Sequence, residues 1–177
     1  RLYAAKFTQL ASTNGGSFDL EWIELAHATD SEIKDILDPD SNTDTNDAPK
    51  FSDIFETMST NLDGTCPTGF DAVNTSWGFE CLQVKPGMEK AAAFLETRRY
   101  AAIKGATTEL RKEEGITYDP VHHKLYIAIS EIAKGMEDDA AGKYDIGGSN
   151  HMKLLQNSCG GLYALDLENN AMLGSAY

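Results

Sequence analysis

The sequence predicts a mainly β chain with inserted helices, built as part of a β-propeller, and three observations predict it. Leu-Tyr followed by small or apolar residues recurs in "RLYAAKF", "KLYIAIS" and "GLYALDLE", the pattern that successive propeller strands would show. Past Gly105 the apolar period falls from helical spacing to two, as strands require. Between the strand-like ends, residues of about 28–105 read as a helical and loop excursion from a single domain covering residues 1–177. An irregular sandwich would leave a similar signal. Blades take about 40 to 50 residues each, so a chain of 177 residues holds too few to close a ring. A start on Arg1 instead of Met agrees with an interior piece of a longer protein.

The elements follow in order. An apolar run, a turn cluster at Asn14-Gly15-Gly16-Ser17, and a second run with Phe18, Leu20, Trp22 and Ile23 predict a hairpin. Asp30 or Ser31 can cap a short helix ending at Leu37. Asp38 to Pro49 is too polar for a packed element, and Lys50 to Met58 suits another short helix. The clearest helix runs from Met88 to Lys104, with Met88, Ala91, Ala92, Leu95, Ala102 and Ile103 on one stripe and Gly105 as its stop. Two strands follow, "GITYDP" and "KLYIAIS", joined by a turn over Asp119 to His123. Tyr118, Leu125, Ile127, Ile129, Leu162 and Leu165 are expected in strands.

Composition narrows the function. The chain is 41% hydrophobic and 24% charged, with no apolar run near the roughly 20 residues that span a bilayer. A net charge of −13 argues against nucleic acid, which needs clustered Lys and Arg. Cys66, Cys81 and Cys159 form no C-x-x-C pair and have no histidine at zinc spacing. Cys66 and Cys81 bracket a turn-rich loop, so they are either a disulfide or two buried thiols. Asp38, Asp40, Asp44 and Asp47 lack the spacing and closing Glu of a calcium loop and read as solvated. Arg98 and Arg99 either bind an anion or, the reading favoured, pair with Glu96 and neighbouring carboxylates, and His122 and His123 read as exposed turn residues. "DIGGSN" lacks the lysine and helix of a phosphate loop and reads as a loop shaped to pack against, or open onto, a cavity.

One stretch carries candidate chemistry. Arg111 offers a planar fork for an anion and Glu113 an oxygen ligand for a hard cation. If residues 111–113 are extended, both side chains share one side of the strand. An ordinary Arg–Glu pair gives the same letters.

"ETRRYAAIKGATTELRKEEGITYDPVHHKLYIAISE", followed by "NSCGGLYALDL", resembles the calcium-dependent PhoX-type alkaline phosphatases. The likeness runs from Val84 to Leu167, and its most specific part is Thr-Arg-Arg, Gly-Ala-Thr and Arg-x-Glu ahead of a strand pair. It implies a secreted β-propeller, periplasmic or extracellular, that uses calcium and iron to hydrolyse small-molecule phosphate monoesters. It further implies that Arg111 contacts the substrate phosphate and Glu113 ligates a metal, with Glu131 and Asn157 as additional site-facing ligands. The family's iron-binding cysteine motif is not found in these residues, so no cysteine is assigned to iron. Two rivals remain: a calcium-dependent propeller lactonase or ester hydrolase, which needs the carboxylate chiefly, and a binding propeller, which needs neither residue.

Overall fold

The structure is a computed structural model that describes residues 1–40, 47–75, 78–139 and 141–167. Strand alternation first builds the expected hairpin, β1 (Leu2–Ala11) antiparallel to β2 (Ser17–Ala26). Its tip needs left-handed backbone, supplied by Asn14, Gly15 and Gly16 at φ 55°, 85° and 88°. A Cβ on Gly16 would stand 2.6 Å from Leu154, so the tip also demands its close approach.

Helix α1 (Asp30–Leu37) begins one residue before the expected caps. Thr29 is its N-cap, closing a capping box with Glu32. The helix expected over Lys50–Met58 is only half present: α2 (Phe51–Ile54) makes one turn and the chain then extends as β3 (Phe55–Met58). Phe55 and Thr57 lie opposite Val84 and Leu82, so pairing with a later strand overrides the local pattern. That partner is β5 (Phe79–Val84), which also pairs with β4 (Asp71–Asn74) in the order β3-β5-β4. The interval read as helical and loop excursion therefore contains a three-stranded sheet. Cys66 and Cys81 are disulfide-bonded with Cα atoms 5.4 Å apart, tying the loop before β4 to the central strand.

The single helix expected from Met88 to Lys104 is two, α3 (Glu89–Leu95) and α4 (Thr97–Ile103). Glu96 leaves helical geometry (φ −126°, ψ 42°), and the Thr97 hydroxyl donates to the Ala93 carbonyl at 2.6 Å, a bond that bends helices. Ala91, Ala92, Ala93 and Ala101 are buried, and their small side chains admit close packing.

The last sheet is antiparallel β6 (Glu113–Asp119), β7 (Lys124–Ile129) and β8 (Gly161–Asp166), with β7 central. All six residues expected in strands lie in these three. The described residues are thus mainly β, as three small antiparallel sheets with short helices. Among the described residues no helix is long and apolar enough to cross a membrane.

Two cores form. Leu25, Ile54, Phe55, Val73, Leu82 and the alanines of α3 and α4 build one. Ile129, Ile132, Met136, Met152 and Leu154, packed by Phe18, Leu110, Ile127 and Tyr163, build the other. The linker between α4 and β6, residues 104–112, runs between them and bonds to all sides. Thr107 N–H donates to Ala5 O in β1, and Phe7 N–H donates to Thr107 Oγ1, at 2.9 and 2.8 Å. Thr108 Oγ1 donates to Asn74 O in β4 at 3.1 Å. Arg98 Nη2 donates to the carbonyls of Thr108 and Leu110 at 2.8 and 3.3 Å. The stretch with the most specific sequence pattern is the strap that joins the sheets.

Candidate functional site

The strap delivers Arg111 to one end of the β6-β7-β8 sheet. Lys112 turns the backbone left-handed (φ 56°), and a bulge follows between Glu113 and Gly115. Residues 111–113 are therefore not extended, and the expectation that Arg111 and Glu113 share a face through simple alternation is corrected by this turn. Lys112 O accepts a bond from Ser130 N–H at 3.0 Å, and Ser130 Oγ donates to Glu114 at 2.9 Å, so the turn is locked to the end of β7.

Arg111 Nη2 bonds Glu131 Oε2 at 2.8 Å. Its Nη1 is buried with no hydrogen-bond partner. The structure thus unites two of the four expected site residues as an ion pair, leaving one guanidinium edge unsatisfied. Glu113 is exposed at the start of β6, opposite Ile129.

Asn157 occupies a different role from the ligand expected. Its backbone forms a bridge with Ile132, two bonds of 2.9 Å. Its amide donates to Gly160 O at 2.9 Å and accepts from Cys159 N–H at 2.9 Å, an Asx turn that leads into β8. Gly160 (φ 68°) is fixed by the same turn, because a Cβ there would lie 1.8 Å from Ile129 O.

These groups do not assemble a calcium site together. Glu131 is held by Arg111, the Asn157 amide by its own turn, and only Glu113 stands open. Iron fits no better, since Cys66 and Cys81 are oxidised and Cys159 is exposed and alone on its turn. The histidines 122 and 123 lie on the exposed turn, as expected, with His122 Nδ1 2.6 Å from Asp119. Arg99 is likewise consumed by Glu80 and Glu96, each at 2.8 Å, over the Phe51 ring.

A second polar cluster on the strap was not singled out by the sequence. Glu109 is 2% exposed. Its Oε1 accepts the N–H groups of His151 and Met152 at 2.7 and 3.3 Å, and the Ser149 side chain also restrains its charge. Burial pushes its pKa up to about 7, helped by the Asp145 charge against the restraining backbone bonds. His151 Nδ1 stands 3.9 Å from Oε2 but 2.7 Å from Thr107 Oγ1. Burial holds the imidazole below its ordinary pKa, so Thr107 donates to a neutral Nδ1 while accepting from Phe7. Asp145, also 2% exposed, is raised to about 6 by burial and by the nearby charges of Asp139, Asp138 and Glu137.

Two further features lie apart from Arg111. A shallow groove of about 510 Å³ runs along Lys6 to Ser12, with His151 and Lys153 on its wall and none of the four expected site residues. Asp38, Asp40 and Asp47 bring carboxylate oxygens within 4.8 Å of one another on a partly exposed loop, while Asp44 lies outside the described residues. No family model, curated protein or solved structure matches the chain.

Proposed function

We propose that the chain carries the phosphate-binding arm of a phosphomonoesterase of the calcium-dependent PhoX type, exported to the periplasm or beyond, and that its three sheets are blades of an incomplete propeller. The observation that carries this reading is Arg111, fixed through Nη2 by Glu131 and left with a buried, unpaired Nη1. A guanidinium oriented on one edge and bare on the other is suited to a phosphate oxygen. Arg111 binds and stabilises the equatorial oxygens as charge develops on them. Glu131 is the positioning residue that selects the rotamer of Arg111. Glu113, open to solvent at the start of β6, is the carboxylate available to a hard cation or to an approaching water. Calcium, when bound, would supply Lewis-acid charge neutralisation. Because the remaining ligands do not gather here, no step is assigned to a metal at this end of the sheet. The disulfide agrees with an oxidising compartment.

The test is hydrolysis of p-nitrophenyl phosphate by the full-length protein. Arg111→Lys keeps the charge but loses the fork, so kcat/KM should fall by about 100-fold with unchanged metal content. Glu131→Gln should lower kcat/KM less and leave Tm within a few degrees. Full activity in Arg111→Lys at limiting and saturating substrate would reduce Arg111 to an ion-pair partner and end the proposal.

A further inference from the structure

Among the described residues, β1 has a strand partner on one side only, β2. Along its other edge the strap makes two bonds, Thr107 N–H to Ala5 O at 2.9 Å and Phe7 N–H to Thr107 Oγ1 at 2.8 Å, and then turns away as Thr108 reaches Asn74. The N–H and C=O groups of alternate residues in an antiparallel strand point to the same side, so those of Gln9 follow Ala5 and Phe7 to this edge. Phe7 O and both backbone groups of Gln9 meet no backbone partner there among the described residues. Such an edge is a template for another strand.

The next segment along the edge stands off from it. Gln9 reaches that segment with its side chain, Oε1 accepting from Lys153 N–H at 2.6 Å and Nε2 donating to Lys153 O at 3.1 Å. The amide takes the place of a backbone rung and holds Lys153 a side chain's length from β1. The space left between them is the groove of about 510 Å³.

The charge of this groove runs against that of the chain. Acidic residues outnumber Lys and Arg 28 to 15, yet the walls carry Lys6, Lys153 and His151 and not one carboxylate. Lys6 makes no ion pair among the described residues, although Glu21 is its cross-strand neighbour. Lys153 lies 3.8 Å from Asp138, a pair exposed at both ends that contributes little. His151 has Nδ1 bonded to Thr107, which leaves Nε2–H as the remaining donor of the ring. Lys6 and Gln9, which holds Lys153, are three residues apart, about 10 Å along a strand and on opposite faces of it. Positive charge is therefore spread along the edge and not gathered around one small anion.

We propose that the β1 edge from Phe7 to Ala11 is a docking site for an extended, acidic peptide segment of a partner protein, which adds to the hairpin as a third strand. Main-chain bonds to Phe7 O and to the N–H and C=O of Gln9 supply affinity, while carboxylates of the peptide meet Lys6, Lys153 and His151 and supply selectivity. Phe7 to Ala11 spans about 13 Å at a rise of roughly 3.3 Å per residue, room for about four or five residues of peptide. The bulge between Gln9 and Ala11 and the left-handed backbone at Asn14 end the edge. Leu10, 62% exposed, offers an apolar contact to one side chain of the guest. The site is independent of the Arg111 reading and stands whether or not the chain hydrolyses phosphate monoesters.

The test is fluorescence anisotropy of a fluorescein-labelled peptide amide, Thr-Glu-Val-Val-Asp-Thr, titrated with the full-length protein. Its acidic residues are three apart, to match Lys6 and Gln9. Binding should be saturable, and Lys6→Gln combined with Lys153→Gln should weaken it at least tenfold, whereas Lys34→Gln on α1 should leave it unchanged. A peptide with lysine in place of both acids should not bind. Methylating the amide nitrogens of one alternate set of peptide residues should abolish binding and methylating the other set should not, because only one set faces β1. If the double variant fails to fold, the two methylated peptides decide on the wild type. No saturable binding, equal binding of the lysine peptide or of both methylated forms, or an unaffected double variant would overturn the proposal. So would displacement by succinate at equal concentration, which would make the groove a small-dicarboxylate site, or a dimer that excludes the peptide, which would make a second copy of the chain the occupant.

Discussion

At Glu109 one carboxylate oxygen takes two backbone N–H groups, but the side chain is almost wholly buried, so its charge is costly in the folded chain. Its pKa rises from 4.5 to about 7 on folding. The unfolded state therefore loses this proton first, and stability conferred by the protonated group is lost as pH climbs from about 4.5 through 7. His151 works in the opposite sense, since its lowered pKa makes acid, not base, the destabilising direction. The wild type should lose on the order of 3 kcal/mol between pH 5 and pH 8 from Glu109. Glu109→Gln should abolish that fall and leave the shallow opposite trend of His151. Urea denaturation at the two pH values checks it, and equal slopes in both proteins would show that Glu109 is ionised throughout. Nothing in the letters marks this residue among 28 carboxylates, because burial comes from sequence-distant Asn74, His151 and Met152. Arg111 was legible as a special position, but its partner Glu131 depends on the left-handed turn at Lys112, which the sequence does not signal.

Elements with period-two alternation and strong turn residues were readable. The β1–β2 hairpin and all of β6, β7 and β8 belong to that class, since each has several alternating side chains and a flanking Gly, Asn or Asp cluster. Strands β3 and β4 have four residues each, too few to display a period, and their pairing is decided by β5 and the disulfide. The Met88–Lys104 stripe was legible, but its break at Glu96 was not, because Thr97 bends the backbone through a bond that any helical threonine could make. The turn into β8 offers a sharp test. Gly160→Ala would force an alanine to φ 68° with its methyl against Ile129 O, 1.8 Å away in the present geometry. Loss of roughly 2 to 4 kcal/mol is expected from strain and a displaced β7–β8 register. Gly87→Ala is the control, with a similar φ of 82° but nothing within 4 Å of its Cβ. A urea midpoint equally lowered by both variants would assign the cost to backbone conformation alone and not to contact with β7.

Among the described residues two cores and three sheets are held by one strap and one disulfide, and the β6 edge carries exposed apolar side chains. Ile116 and Tyr118 on β6 are 69% and 49% exposed, although their cross-strand partners Ile127 and Leu125 are partly buried. An edge strand with an uncovered apolar face favours association. Ile116→Lys should therefore raise the concentration at which light scattering begins, without lowering Tm. The disulfide acts on a different part. Cys66 and Cys81 enclose β4, whose Asn74 supports both Thr108 of the strap and the Asp145 loop. Closing a loop of sequence separation 15 stabilises by about 3 kcal/mol, chiefly through the unfolded chain. Reduction, or the Cys66→Ser/Cys81→Ser pair, should lower stability by that order. It should also loosen Asn74 locally, because β4 is an edge strand held to β5 by four residue pairs. Hydrogen exchange should then accelerate in residues 71–74 and 143–148 ahead of β7. Uniform acceleration in every sheet would mean that the cross-link stabilises only by constraining the unfolded state, and that Asn74 keeps its place without it.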